Sequence, residues 1–217
     1  MRRRDWLLGV TGLLAGAGRT RAFTVPPNGR LAFEIWRKDS QIGTHVLNFA
    51  QKDGALTITI AVRIEVFFGP IRLFHYKMDG IEQWSNGQIF HVETATNDDG
   101  KADQMRADRS VAGLRVQGTG AAPYLAPPAA LPATHWNIAE LRGPWINPQN
   151  GKLSHPRITA LGEETVPLAN SVTARGAHYR VSGDADLDLW YGTDQSWLSL
   201  SFNGQDGSAI RYLRSAG

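Results

Sequence analysis

Three aspartates at alternate positions, Asp184, Asp186 and Asp188 in the stretch GDADLDLWYGTDQSWLSLSF, are the densest acidic group in this chain of 217 residues. Carboxylates so close together can hold a metal, work as an acid–base pair, or line the wet face of a strand. Alternate residues of one strand project in parallel, about 7 Å apart at a rise of ~3.3 Å per residue. A cation needs its oxygens to converge within about 2.5 Å of one point. A four-residue loop over 192–195 sets Leu189 opposite Leu198 and Leu187 opposite Leu200, with Asp188 across from Ser199 and Asp186 across from Ser201. The spacing therefore predicts a solvated strand face, and no metal site is expected.

The six histidines are His45, His75, His91, His135, His155 and His178, and no two stand four apart as zinc-binding pairs on a helix do. His91 reads as a cross-strand neighbour of Glu82. His45 falls on an apolar strand face, as a core histidine or as a general base; His135 is the second candidate base. No G-x-S-x-G elbow, phosphate-cradling glycine loop or dinucleotide fingerprint occurs. The absence of cysteine removes thiol chemistry, disulfides and a cysteine-linked lipid anchor. No cofactor is expected, no catalytic residue is assigned, and a binding protein is favoured over an enzyme using a histidine in the same cavity or a structural envelope interaction module.

The elements that would position these residues read as strands. In ALTITIAVRIEVFF, Leu56, Ile58, Ile60, Val62, Ile64 and Val66 share one face, and Thr57, Thr59, Arg63 and Glu65 the other. Asp53-Gly54 is a hairpin turn, because both central positions of the favoured two-residue turn need positive φ. It pairs Phe49 with Ile58, Leu47 with Ile60 and His45 with Val62. Asn86-Gly87 then pairs Trp84 with Ile89, Ile81 with Val92 and Glu82 with His91, and Asp99-Gly100 brings Glu93 opposite Arg106. The fold expected is all-β, a single antiparallel meander curling into an open, half-barrel-like sheet.

The alternation breaks over 119–158, which is rich in proline and alanine. Within it Thr134 is placed to cap a short helix over 135–142, closed by Gly143-Pro144. This segment is either a loop packed over one end of the sheet or a lid over a cavity. In the second reading Tyr124, His135, Trp136, Trp145 and His45 bind the ligand.

Residues 1–22 have a basic start, an apolar stretch over 7–17 too short to span a bilayer, and a small residue at Ala22. This is the layout of an export signal helix. Arg3-Arg4 fits the twin-arginine address, with general secretion as the other route. Cleavage after Ala22 removes five arginines and one aspartate, so the formal charge of +3 becomes −1 over residues 23–217, the single β domain. The argument for nucleic acid leaves with the leader. The partners expected are the export machinery and a hydrophobic small molecule or lipid, in a periplasmic protein without a stable membrane anchor.

The stretches GRLAFEIWRKDSQIGTHVLNF, THWNIAELRGPWINPQNGKL and YRVSGDADLDLWYGTDQSWLSLSFNGQDGSAIRY together resemble an exported proteobacterial family known only as a domain of unknown function, number 6134 and akin to number 3108. The resemblance spans nearly all of the chain after the leader, with THWN, INPQNGKL and LDLWY its most specific parts. It implies kinship with periplasmic lipoprotein carriers that have an open, strongly curved antiparallel sheet, and so an apolar concave face under the irregular segment. It brings no established activity and no catalytic residues. Fold kinship alone does not assign lipid carriage.

Overall fold

Asp53 and Gly54 both take positive φ, 51° and 78°, and the turn they form pairs Phe49 with Ile58, Leu47 with Ile60 and His45 with Val62, as the sequence predicts. Asn86-Gly87 and Asp99-Gly100 turn the same way. The structure, a computed structural model, describes residues 25–215. Strands β1 (Arg30–Arg37), β2 (Ser40–Lys52), β3 (Ala55–Phe68), β4 (Ile71–Ser85), β5 (Gln88–Asp98), β6 (Lys101–Ser110), β7 (Gly113–Gly118) and β8 (Ala121–Leu125) follow as successive hairpins. An irregular strap over 126–156 carries the short strands β9 (Leu131–Pro132), β10 (Trp145–Ile146) and β11 (Leu153–Ser154). Regular hairpins resume with β12 (Arg157–Pro167), β13 (Thr173–Ser182), β14 (Leu187–Gly192), β15 (Trp197–Asn203) and β16 (Ala209–Arg214).

The protein is all-β, and its main element is one open antiparallel sheet of 13 strands in the order β12-β13-β14-β15-β16-β1-β2-β3-β4-β5-β6-β7-β8. The last strand closes beside the first, with Ile35 opposite Tyr212, so the meander is joined through its own ends. The two free edges are then β8 and β12, and the strap links one to the other. Its Ala130, Trp136, Trp145 and Ile146 are buried in the same cluster as Phe33, Leu47, Ile58, Trp84 and Trp197 of the sheet. The core lies between the concave face and the strap.

Two bulges move residues from their expected places. Trp84 opposes Ile89, but Gln83 opposes His91 and Glu82 opposes Val92. The extra residue, Phe90, stays exposed while Ile89 and Val92, three apart, both turn inward. Glu82 is thus not the neighbour of His91; it is buried on the concave side. A bulge between Trp190 and Tyr191 likewise sets Leu189 opposite Leu200, Asp188 opposite Ser201 and Tyr191 opposite Trp197. The expected register is two residues off: the loop between Tyr191 and Trp197 is five residues long, one more than expected, and the bulge, which lets both Tyr191 and Trp197 face the core, adds the second.

The three aspartates are engaged separately. Asp188 accepts from His178 at 2.8 Å and Arg180 at 2.7 Å, Asp186 lies 3.8 Å from Arg180, and Asp184 accepts from the His155 backbone at 2.9 Å. The expected helix over 135–142 is a 3-10 helix confined to Ile138–Arg142 and capped by Asn137, whose side chain accepts from the Ala139 N–H. His135 breaks it with a φ of 65°. Thr134 is not the cap. The irregular part is shorter than 119–158, because Tyr124 sits on β8 and residues from 157 onward belong to β12. The expected signal helix over 1–22 lies outside the described residues. Among the described residues no helix is long and apolar enough to cross a membrane.

Candidate functional site

Two buried acids tie the strap to the sheet. Glu82 points inward from β4, in step with Met78 and Trp84, into surroundings where an unpaired carboxylate would cost several kcal/mol. Three donors meet it: the Thr134 hydroxyl at 2.6 Å, the Trp136 indole at 3.0 Å and the Trp84 indole at 2.9 Å. Burial pushes its pKa above the ordinary value of 4.5, opposed by those three hydrogen bonds and assisted by the charge of Glu140. Two of the three donors belong to the strap.

Glu140 lies in the strap itself. Its carboxylate accepts from the His135 backbone at 2.9 Å, meets the His135 ring Nδ1 at 2.6 Å and takes the Tyr191 hydroxyl at 3.4 Å. Tyr191 also donates to the His135 carbonyl at 3.0 Å, and the Trp145 indole donates to the Glu140 carbonyl at 2.8 Å. Burial, then the nearby Glu140 charge, drives the Tyr191 pKa well above 10.0. These bonds hold His135 in a left-handed conformation sparsely used by non-glycine residues.

Of the residues expected to bind a ligand, His135, Trp136, Trp145 and His45 do come together beneath the strap. His135 stands 5.7 Å from Trp145 and 5.4 Å from Trp197, and His45 stands 5.3 Å from Trp197 on its other approach. Trp136 meets Phe49 at 5.6 Å and Trp84 at 5.4 Å, both edge-on. Both strap indoles are buried, so they fill the concave face. Tyr124 is elsewhere, donating to the Gly151 carbonyl at 2.9 Å where the far end of the strap is pinned.

His45 is buried, and its Nε2 has no hydrogen-bond partner among the described residues. Burial, then the charge of His135, pulls its pKa down to about 3. It is neutral at physiological pH and sealed from substrate, which is unsuited to a general base. His135 has part of the wiring of a base, since the Glu140 carboxylate meets its Nδ1. Its side chain is only 13% exposed, however, and packs between two indoles. The geometry makes it a clasp.

A second, more open site lies where the β3–β4 hairpin leaves the sheet. β3 pairs with β2 only as far as Gly43 opposite Ile64, yet continues with β4 to Phe68 opposite Ile71. On its other side β4 meets β5 only from Tyr76 opposite Asp98. At the root of this projection is a cavity of about 490 Å³. Ile42, Ile64 and Tyr76 form its apolar part, and Arg63, Arg72 and Lys77 outnumber Glu65 around it, with His75 beside them. Gly43 is required there, because a Cβ would stand 2.1 Å from the Arg63 carbonyl oxygen.

Three of the ion pairs at this cleft are long, and the fourth, at Arg63, is tight. Arg72 lies 3.4 Å from Glu65, His75 3.3 Å from Asp99 and Lys77 3.2 Å from Asp79, all with at least one half-exposed partner. Arg63 is held by Asp79 and by the carbonyls of Val62 and Met78. The Tyr76 hydroxyl accepts from Gln149 of the strap at 2.9 Å, and burial pushes its pKa to about 12. An apolar floor under a cationic rim suits an amphiphile with an anionic head. Sequence reasoning did not mark this cleft; its signal was the run of apolar residues continuing past Ile64 into the turn.

No curated protein matches the chain. A crystal structure of a β-barrel-like protein of domain of unknown function DUF1849 from Brucella abortus is similar in fold, with a TM-score of 0.57 at 10% identity over 86% of this chain and 94% of that one. Residues 33–215 match the family described as Domain of unknown function (DUF6134), and with the strap, both acids and all of the sheet but the start of β1 inside that span, the chain belongs to this family.

Proposed function

We propose that the protein is an exported periplasmic binding protein for a hydrophobic molecule with an anionic head, of the fatty-acid or lipid class, taken up in the cleft beside the β3–β4 hairpin. The observation that carries this reading is the cavity of about 490 Å³ with an apolar floor and a surplus of cations at its rim. The concave face supports the reading less well. A ligand there must displace Trp136 and Trp145, and each buried indole contributes about 4–6 kcal/mol from roughly 150–250 Å² of apolar area. The rim cations would orient the head group, and the floor would take the first part of the chain.

Titration of the mature protein with a fluorescent polyene fatty acid tests the site. Saturable binding, displaced by oleate and weakened about tenfold or more by Arg72→Glu, is the expected result. Binding that is absent, or indifferent to Arg72→Glu, refutes the cleft. Localisation is tested separately by fractionating cells of the source organism. Replacing Arg3 and Arg4 with lysine should strand the protein in the cytoplasm if the twin-arginine route carries it, and wild-type protein found in the cytoplasm refutes export.

A further inference from the structure

The same hairpin carries a second feature that ligand uptake does not explain. Beyond Ile64 on β3 and His75 on β4, the two strands pair only with each other. Four residues of β3, at ~3.3 Å each, project about 13 Å from the sheet. The tip, residues 66–74, reads VFFGPIRLF. Phe67, Phe68, Ile71 and Leu73 are 55%, 74%, 60% and 59% exposed. An isolated two-stranded hairpin is marginal in water, and four large apolar side chains around one turn are a poor surface for it.

We propose that this tip is a membrane-docking wedge that inserts into the interfacial layer of an anionic lipid surface. Three observations select lipid as the occupant. The tip is convex, so it needs a yielding medium in place of a preformed pocket. Its reach of about 13 Å matches an interfacial burial of roughly 5–10 Å, with a belt of charged and polar groups (Arg63, Glu65, His75, Lys77 and Asp79) behind it to stop deeper entry. Its only charged residue is Arg72, a cation, and no acid occurs between 66 and 74, so its charge complements lipid phosphates. The overall charge of the chain after the leader gives no general attraction to such a surface, and the contact is local and reversible. Docked in this way, the mouth of the cleft would open at the lipid surface. The inference holds whether or not the cleft is occupied.

The absence of cysteine makes the experiment clean. Phe68→Cys and Val111→Cys, the latter fully exposed in the β6–β7 turn, are each labelled with an environment-sensitive nitrobenzoxadiazole dye. The labelled mature proteins are mixed with vesicles of phosphatidylethanolamine and phosphatidylglycerol, or of phosphatidylcholine. The expected result is a blue shift at position 68 with anionic vesicles, reduced by salt and by phosphatidylcholine, with no shift at position 111. In sedimentation, the double variant Phe67→Ser, Phe68→Ser should lose about tenfold or more in partition, keep its circular dichroism, and still bind the soluble fatty-acid probe. Equal shifts at both positions, a label that stays aqueous, or undiminished partition of the double variant overturns the proposal. So does a tip that ignores vesicles but crosslinks from position 68 to an envelope protein. Failure of the fatty-acid titration leaves these readouts untouched, so the two ideas fail separately.

Discussion

Replacing Glu82 by glutamine and by alanine should give opposite results. Alanine removes an acceptor that serves Thr134, Trp136 and Trp84 at 2.6, 3.0 and 2.9 Å, and it leaves a void in a fully buried position. Hydrogen bonds to a charged group contribute about 1.5–3 kcal/mol each before the desolvation of that group is counted. With the cavity included, the expected loss is roughly 3–5 kcal/mol. Glutamine keeps the shape. Its carbonyl can accept both indole N–H groups and its amide can donate to Thr134, whose hydroxyl turns to accept.

Glutamine also removes the charge that burial disfavours. The native pKa of Glu82 is raised above 4.5, so the folded protein holds the proton more tightly than the unfolded chain. The stability linked to that proton is fully present below the unfolded value and is lost as pH rises through the native pKa. Glu82→Gln should therefore match the wild type in acid and exceed it increasingly as pH rises through that range. Urea unfolding followed by tryptophan fluorescence, from pH 5 to 8.5, measures the difference directly. A glutamine variant as damaged as alanine would mean that the charge itself holds the strap. An alanine variant costing under about 1 kcal/mol would mean that the strap is not held there. The first outcome refutes a latch made by hydrogen bonding alone, and the second refutes the latch.

Two further substitutions probe the sheet. His45→Leu should flatten the acid side of the stability curve: with a native pKa of about 3 against 6.5 unfolded, the neutral ring stabilises above pH 6.5. That contribution falls by about 1.4 kcal/mol per unit below it, so the variant should gain about 2 kcal/mol on the wild type between pH 6.5 and 5 in the same urea assay. An unchanged pH slope would place the proton elsewhere. Gly43→Ala forces a Cβ to within 2.1 Å of the Arg63 carbonyl oxygen and should cost about 1–3 kcal/mol, a fall of roughly 3–10 °C in Tm. An unaltered Tm by calorimetry would show that the β2–β3 junction opens freely.

Much of this was legible because turn chemistry and alternation agree. Asp53-Gly54 needs positive φ and takes it, and the pairing of Leu47 with Ile60 then follows without tertiary information. The failures cluster at bulges. Nothing in IFHV announces that Phe90 is the extra residue, so Glu82 was set against His91 when it turns inward. Yet Glu82 shares parity with Met78 and Trp84, and strict alternation alone would have placed an acid on the buried face. The strap was found but not its depth. A proline-rich segment bearing tryptophans reads as a cover, and only the strand order, with β8 and β12 at opposite edges, shows that it must cross the concavity. Glu140 drew no notice, because its partners arrive from backbone geometry at His135 and from Tyr191, 51 residues away.

That strand order also explains why acids sit where apolar groups would be the more stable choice. A strand in the sheet is held in register by its ladder and by alternation, so a slip of one residue turns every side chain to the wrong face. The strap has only two-residue strands over most of its length, and apolar contact alone is indifferent to small slips. Glu82 and Glu140 supply the missing directionality. A shift of one position would carry both Thr134 and Trp136 away from Glu82, stranding its carboxylate in the interior, and would carry the His135 carbonyl and the Glu140 carboxylate away from the Tyr191 hydroxyl of the sheet. The strap is therefore fixed most firmly where its regular structure is least. The β3–β4 projection stands at the other extreme, since beyond Ile64 and His75 no third strand pairs with it.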